Sequence, residues 1–145
     1  MNRRVVSRGR RIAGLGGLLV LVACFLPWFR VGGDLGGLPA ISSNAVAGNQ
    51  YFGAGIVVFV VAVVVLALIV LPYAAGDQHL AIDRPASFVL AAGAGVIAFV
   101  ASVVQLGLSG ALGLPDRAPG LWLAGAGLAV VCWGAWELVH EHAGY

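Results

Sequence analysis

Residues 52–71 read FGAGIVVFVVAVVVLALIVL, without one polar or charged side chain. At 1.5 Å per residue, a helix of about 20 apolar residues spans the roughly 30 Å hydrocarbon core of a bilayer. The many β-branched residues would also suit a buried strand, but a lone strand in lipid leaves its backbone hydrogen-bonding groups unsatisfied. The stretch therefore predicts a transmembrane helix, and with it an integral membrane protein.

The composition of the whole chain agrees with this class. Of its 145 residues, 61% are hydrophobic and only 10% are charged, and the mean hydropathy is +0.99. Soluble domains carry about 25% charged residues. The net charge of +2 is too small to indicate a nucleic-acid partner.

Three further apolar segments accompany the first, separated by stretches rich in glycine and proline. Asp83 and Pro85 have the order expected of a helix cap and a first helical turn. We therefore predict an all-α fold, an integral membrane four-transmembrane-helix bundle formed by a single domain of residues 1–145. The expected spans are 12–29, 52–72, 85–108 and 120–139, and the expected exterior loop is 31–50.

Pro27, Trp28 and Phe29 are expected in the last turn of the first span, where the two aromatic rings would form part of an interfacial belt. Leu21-Val22-Ala23-Cys24 fits the pattern of a bacterial lipoprotein signal. The apolar run continues past Cys24, however, where a lipoprotein becomes polar, so we expect a retained helix. Cys24 and Cys132 form no Cys-x-x-Cys motif and are expected to be free thiols.

The arginines predict the orientation. With the N-terminus inside, six arginines lie on the cytoplasmic side and two, Arg30 and Arg117, lie outside. Because basic residues concentrate on the cytoplasmic side, we expect a multi-pass protein of the bacterial cytoplasmic membrane with both termini in the cytoplasm.

Small and polar residues mark the expected helix contacts, since apolar side chains gain little from meeting each other in lipid. The third segment has such a stripe, and the fourth has a matching one, so we predict close packing between them. The first segment contributes only Gly14 and Gly17. The predicted packing residues are Ala91, Gly95, Ala98, Ser102, Gln105 and Ser109 on the third segment and Gly120, Ala124, Gly127 and Gly134 on the fourth.

Gln105 is the one strongly polar side chain well inside a predicted span. The simpler interpretation is a hydrogen bond between helices, with Ser102, Ser109 or a carbonyl of the fourth helix as partner. The alternative is a cavity in which these three residues bind a lipid or a small apolar solute.

No aspartate, glutamate, lysine, arginine or histidine lies near the middle of a predicted span, where ion-coupled transporters usually keep a charged group. This disfavours small multidrug exporters and haem-binding bundles, and we expect neither catalytic residues nor a cofactor. The remaining metal candidates stand at the cytoplasmic boundary: Asp77, His79, Glu137 and His140, of which the last two have the Glu-x-x-His spacing. A solvated helix end is the simpler interpretation of that motif.

The chain resembles small four-helix membrane proteins common in actinobacteria. The resemblance rests on Phe25-Leu26-Pro27-Trp28, on the glycine-bearing exterior loop and on the Gly120–Ala124 opening of the last segment. It implies a four-helix architecture and no activity.

These observations favour an accessory or structural subunit that packs against a larger membrane protein complex. The expected partners are membrane lipid and other membrane subunits or a second copy of the chain, and no nucleic acid. A lipid-binding or solute-binding protein and a self-associating homo-oligomer remain the alternatives. The predicted partner interface comprises Val57, Val61, Val64, Leu68, Trp133 and Trp136.

Overall fold

The computed structural model describes residues 7–31, 41–47, 54–74 and 85–143. These residues form four helices and two short strands. In chain order the elements are α1 (Arg8–Ala23), β1 (Pro27–Val31), β2 (Ile41–Asn44), α2 (Ala54–Ala74), α3 (Pro85–Leu108) and α4 (Pro119–Ala143). The predicted four-helix architecture is confirmed, and it carries a small sheet that the sequence analysis did not predict.

Three of the helices, α2, α3 and α4, are long and apolar enough to cross a membrane. The first helix is shorter. It has 16 residues, three of the first four being arginine, and its length is about 24 Å. A helical span over 12–29 was therefore a wrong prediction, because residues 27–31 belong to a strand.

The early end of α1 has a local cause. Leu26 donates its backbone N–H to the Ala23 carbonyl over 3.2 Å, in the tight geometry of a closing helix turn. Pro27 has no N–H with which to continue the ladder, and its ring disfavours helical backbone at the preceding residue. The indole Nε1 of Trp28 donates to the same Ala23 carbonyl over 2.9 Å. A side chain thus stabilises the end of the helix, and the backbone leaves it as a strand.

The two strands pair antiparallel, with Arg30 opposite Ser42 and a register irregularity between Pro27 and Phe29. The Asn44 side-chain oxygen then accepts the backbone N–H groups of Val46 and Ala47 over 3.1 and 2.7 Å, which turns the chain after β2. The predicted exterior loop of 31–50 thus contains β2 at residues 41–44, and its exterior position stays a prediction. Residues 32–40 and 48–50 of that loop lie outside the described part of the chain.

The helices pack as an antiparallel bundle in which α1 contacts α2 and α4, and α3 contacts the same two helices from the other side. Consequently α2 and α4 occupy diagonally opposite corners. Two clusters of buried side chains fill the interior. One lies toward the sheet and includes Trp28 and Leu106, and the other lies toward the far end and includes Phe88 and Leu138.

The two ends of the bundle differ. At one end, the N-terminus of α1 meets the C-terminal part of α4, where Gly9 donates its N–H to Glu141 Oε1 over 3.3 Å. At the other end, the sheet packs beside the start of α4, and a Cβ built on Gly120 would lie 2.8 Å from Trp28 Cδ1. The turn between α3 and α4 belongs to this second end.

Candidate functional site

Glycine and alanine bring α1 and α4 into the closest helix contact of the described residues. A Cβ built on Gly16 would lie 2.7 Å from the Val131 backbone nitrogen, and one on Gly127 would lie 3.0 Å from the Val20 nitrogen. A Cβ on Gly134 would meet the backbone of Ala13 even more closely. We call the small residues in this contact the glycine seam: Gly9, Gly16 and Ala23 on α1, and Gly120, Gly127 and Gly134 on α4.

The glycine seam corrects the predicted partner of α4. The sequence stripe on α4 was expected to pack against α3, whereas its glycines face α1. A stripe of small residues indicates that a helix face packs closely against a neighbour, but it does not identify which helix is the neighbour. The sequence did contain a signal for the α1–α4 pair, because the small residues of both helices are spaced by seven. Residues at that spacing stay on one face of a helix, so the two faces can pack along their length. Gly14 and Gly17, the glycines noted on α1, instead face Ile69 and Val65 of α2.

The predicted stripe on α3 is buried over its first four residues, Ala91, Gly95, Ala98 and Ser102. Gly95 packs against two helices, because a Cβ there would lie 2.9 Å from both Leu128 Cδ2 and Val61 Cγ1. This stripe therefore contacts α2 as well as α4.

Gln105 and Ser109, the last two residues of that stripe, are exposed. The buried line continues through Leu106, which packs in the same cluster as Trp28 and Phe29, so position 105 turns outward. Ser102 donates its hydroxyl to the Ala98 carbonyl over 2.9 Å, and Ser109 donates to the Gln105 carbonyl over 2.6 Å. Both hydroxyls are thus satisfied by carbonyls of α3. Because Gln105 is exposed, the expected hydrogen bond between helices was wrong. The pocket that Ser102 lines includes neither Gln105 nor Ser109.

Tryptophan side chains stand on the outer face of α4, opposite the glycine seam. Trp133 is 62% exposed and Trp136 is 67% exposed, so neither fills a gap between helices of this chain. Trp133 Nε1 donates to Glu137 Oε1 over 3.2 Å. The Trp136 ring lies 4.4 Å from the His140 ring, measured between centroids. We call Trp133, Trp136, Glu137 and His140 the aromatic patch.

The predicted partner interface does not form one surface. On α2, Val61 and Leu68 are buried in the bundle, while Val57 and Val64 are exposed. The two exposed valines lie on the helix diagonally opposite α4. The aromatic patch and the exposed side of α2 therefore face different directions.

The metal candidates are only partly covered by the structure. Asp77 and His79 lie outside the described residues. Glu137 accepts the Trp133 indole N–H, and His140 Nδ1 lies 3.0 Å from the Trp136 carbonyl oxygen. Among the residues that the structure describes, no three potential metal ligands come together. Both cysteines have free thiols, with Cys24 buried and Cys132 partly buried.

An apolar groove of about 460 Å³ opens between α3 and α4, near the turn that connects them. Phe99 forms its floor, and a Cβ built on Gly125 would lie 3.0 Å from Phe99 Cζ. The Trp122 indole lines it on the α4 side and donates to the Gly113 carbonyl over 3.0 Å. All lining residues are apolar: Phe99, Val103, Leu112, Leu121, Trp122, Gly125 and Ala126.

Comparison of the chain with protein-family models, with curated proteins and with solved structures finds no match. The actinobacterial resemblance therefore gains no support from these comparisons.

Proposed function

We propose that this protein is a non-catalytic, multi-pass membrane protein that serves as an accessory subunit of a larger membrane complex and binds its partner through the aromatic patch of α4. The observation that carries the proposal is the outward position of Trp133 and Trp136. Aromatic residues are enriched in the centres of protein interfaces, where they dominate the binding energy.

The depth of the patch supports a protein partner over a simple interfacial belt. Trp122, at the other end of α4, is 51% exposed and has the position of a belt residue. Trp136 lies roughly 21 Å and Trp133 roughly 16 Å from it along the helix axis. Both separations are smaller than the roughly 30 Å hydrocarbon thickness. If Trp122 marks one interface, Trp133 and the Glu137 carboxylate beside it lie where lipid alone solvates a charge poorly.

The orientation is part of the proposal. Arg8, Arg10 and Arg11 begin α1, and the positive-inside tendency favours the cytoplasmic side of a bacterial inner membrane for that end. The bond between Gly9 and Glu141 brings the last helix to the same end, which supports two cytoplasmic termini.

The test is site-specific photo-crosslinking of the tagged, full-length protein in membranes, followed by purification in mild detergent. A photoreactive residue at Trp133 is expected to crosslink to one larger membrane protein, identified by mass spectrometry. The matched control is Leu90, an apolar residue that is 74% exposed on α3 and is expected to label lipid only. The complex should also be lost from a Trp133→Ala, Trp136→Ala double variant and retained in Leu90→Ala.

Two outcomes would overturn the proposal. A crosslinked product of twice the mass of the chain would favour a homo-oligomer instead. If photoreactive residues at Trp133 and Leu90 label lipid equally and the purified protein is a monomer, the patch contacts only lipid, as residues of an interfacial belt do.

A further inference from the structure

We propose that the apolar groove between α3 and α4 binds one acyl chain of a membrane phospholipid, whose phosphate lies at Arg117. This inference concerns a different surface from the aromatic patch and does not depend on the accessory-subunit proposal.

The lining of the groove excludes water as its occupant. An ordered water needs two to four polar partners, and every residue that lines the groove is apolar. The side walls belong to α3 and α4, two of the helices that are long and apolar enough to cross a membrane. In a bilayer the groove therefore opens sideways into hydrocarbon, and an empty groove would lose the dispersion contacts of its walls.

The size of the groove favours one acyl chain. A methylene group takes up about the volume of a water in the liquid, roughly 30 Å³, so the groove of about 460 Å³ can hold a substantial part of one acyl chain. A helix with its side chains is about 10–12 Å across, so a single turn already fills on the order of 500 Å³. The groove thus has room for one lipid chain but for only one turn of a partner helix.

The floor and one wall are held in place by side-chain contacts. The Phe99 ring meets the Trp28 ring edge-on, with centroids 6.3 Å apart, and Trp28 is itself buried. Trp122 is oriented by its bond to the Gly113 carbonyl. The groove is therefore preorganised, and a chain that enters it does not have to order its walls.

Charge at the mouth selects the headgroup. Arg117 is exposed in the turn between α3 and α4, next to this end of the groove. Its Cβ would lie 3.3 Å from a Cβ built on Gly113, whose carbonyl holds the Trp122 indole. A guanidinium at this position complements the phosphate of a lipid whose chain lies along Phe99 and Trp122, since guanidinium and phosphate match in charge and in hydrogen-bonding geometry.

The experiment is native mass spectrometry of the full-length protein in detergent, titrated with palmitoyl-oleoyl phosphatidylglycerol. One lipid should bind each chain. Ala126→Leu places a larger side chain in the groove and should weaken binding about tenfold or more. Ala129→Leu is the matched control, because Ala129 is exposed on the same helix but does not line the groove; its affinity should equal that of the wild type.

A second arm separates the chain from the headgroup. Arg117→Gln should weaken the binding of phosphatidylglycerol but not that of palmitoyl-oleoyl glycerol, which has the same chains and no phosphate. Equal affinity in Ala126→Leu and Ala129→Leu, or a series of adducts without a discrete first one, would contradict the proposal. So would an Ala126→Leu variant that changes a wild-type dimer to a monomer, because the groove would then be a protein interface.

A measurement on the wild type covers the case in which Ala126→Leu does not fold. Phosphatidylglycerol with a brominated acyl chain should quench part of the tryptophan fluorescence at one lipid per chain. That component should disappear in Trp122→Phe, and quenching that is unchanged in this variant would overturn the assignment of the groove.

Discussion

Trp28 connects three parts of the molecule through one side chain. Its indole donates to the Ala23 carbonyl at the end of α1, its ring meets Phe99 of α3, and its Cδ1 lies close above Gly120 of α4. It is only 3% exposed, so the expected role in an interfacial belt was wrong. A buried tryptophan needs a partner for its N–H, and the Ala23 carbonyl, which also accepts the backbone N–H of Leu26, provides one.

We expect Trp28→Phe to lower the free energy of unfolding by about 1–2 kcal/mol, because the buried Ala23 carbonyl loses a donor while the aromatic ring is kept. The measurement is denaturant unfolding in detergent. Trp122→Phe is the control, since its hydrogen bond to Gly113 is exposed and its loss should cost less. Equal effects of the two substitutions would show that burial of the hydrogen bond is not what stabilises this corner of the fold.

At the level of the elements, the glycine seam decides which helices pair. Backbone atoms of α1 and α4 approach so closely that a side chain on any seam glycine would meet the opposite helix. Such close contact allows dispersion forces between the backbones, which is how small residues promote helix association in lipid.

Gly16→Ala should therefore destabilise the protein by about 1–3 kcal/mol, because the added methyl group has to displace the backbone of α4. Gly93→Ala is the matched control. Gly93 is also a helical glycine, but a Cβ there meets nothing within 4 Å, and the substitution should stabilise α3 by up to about 1 kcal/mol. Both values come from unfolding titrations in the same detergent. A Gly16→Ala variant as stable as the wild type would mean that α1 and α4 can move apart at the seam without loss of stability.

Helices α2, α3 and α4 were predictable, because apolar length and proline positions are properties of the local sequence. The α3 helix begins at Pro85 and ends at Leu108, the bounds expected for the third segment. The sheet was not predictable in this way. Its strands are short, and the feature that ends α1, the bond from the Trp28 indole to Ala23, depends on a side chain that looked like a membrane anchor.

The candidate surfaces were predicted less well, for a related reason. A helix that is apolar on every face gives no signal for the side that turns inward, so Val61 and Leu68 were assigned to a partner although they are buried. The outward position of Trp133 and Trp136 agrees with their assignment to an interface, but the interface itself stays a prediction. The groove between α3 and α4 has no sequence signal, because it results from the spacing of two helices.

For the whole molecule, the two ends of the bundle should lie on opposite sides of the membrane. In a cysteine-free background, Ser42→Cys and Asp116→Cys should react with a membrane-impermeant maleimide in intact cells. Ser7→Cys should react only after lysis. Positions 42 and 116 belong to the end with the sheet and the α3–α4 turn, and position 7 belongs to the end where Gly9 meets Glu141. Labelling of positions 7 and 42 from the same side would contradict the antiparallel bundle.

The glycine seam also determines when α1 can pack during synthesis of the chain. Of the four helices, α1 leaves the ribosome first, whereas α4, which covers its glycine face, is made last. Roughly one hundred residues separate them, so at 5–20 residues per second α1 waits on the order of 5 to 20 s. During that interval a short helix that begins with arginines has only α2 to pack against, through Gly14 and Gly17. Only a chain synthesised through α4 can cover the glycine face of α1, so the seam distinguishes chains that contain α4 from chains interrupted before it.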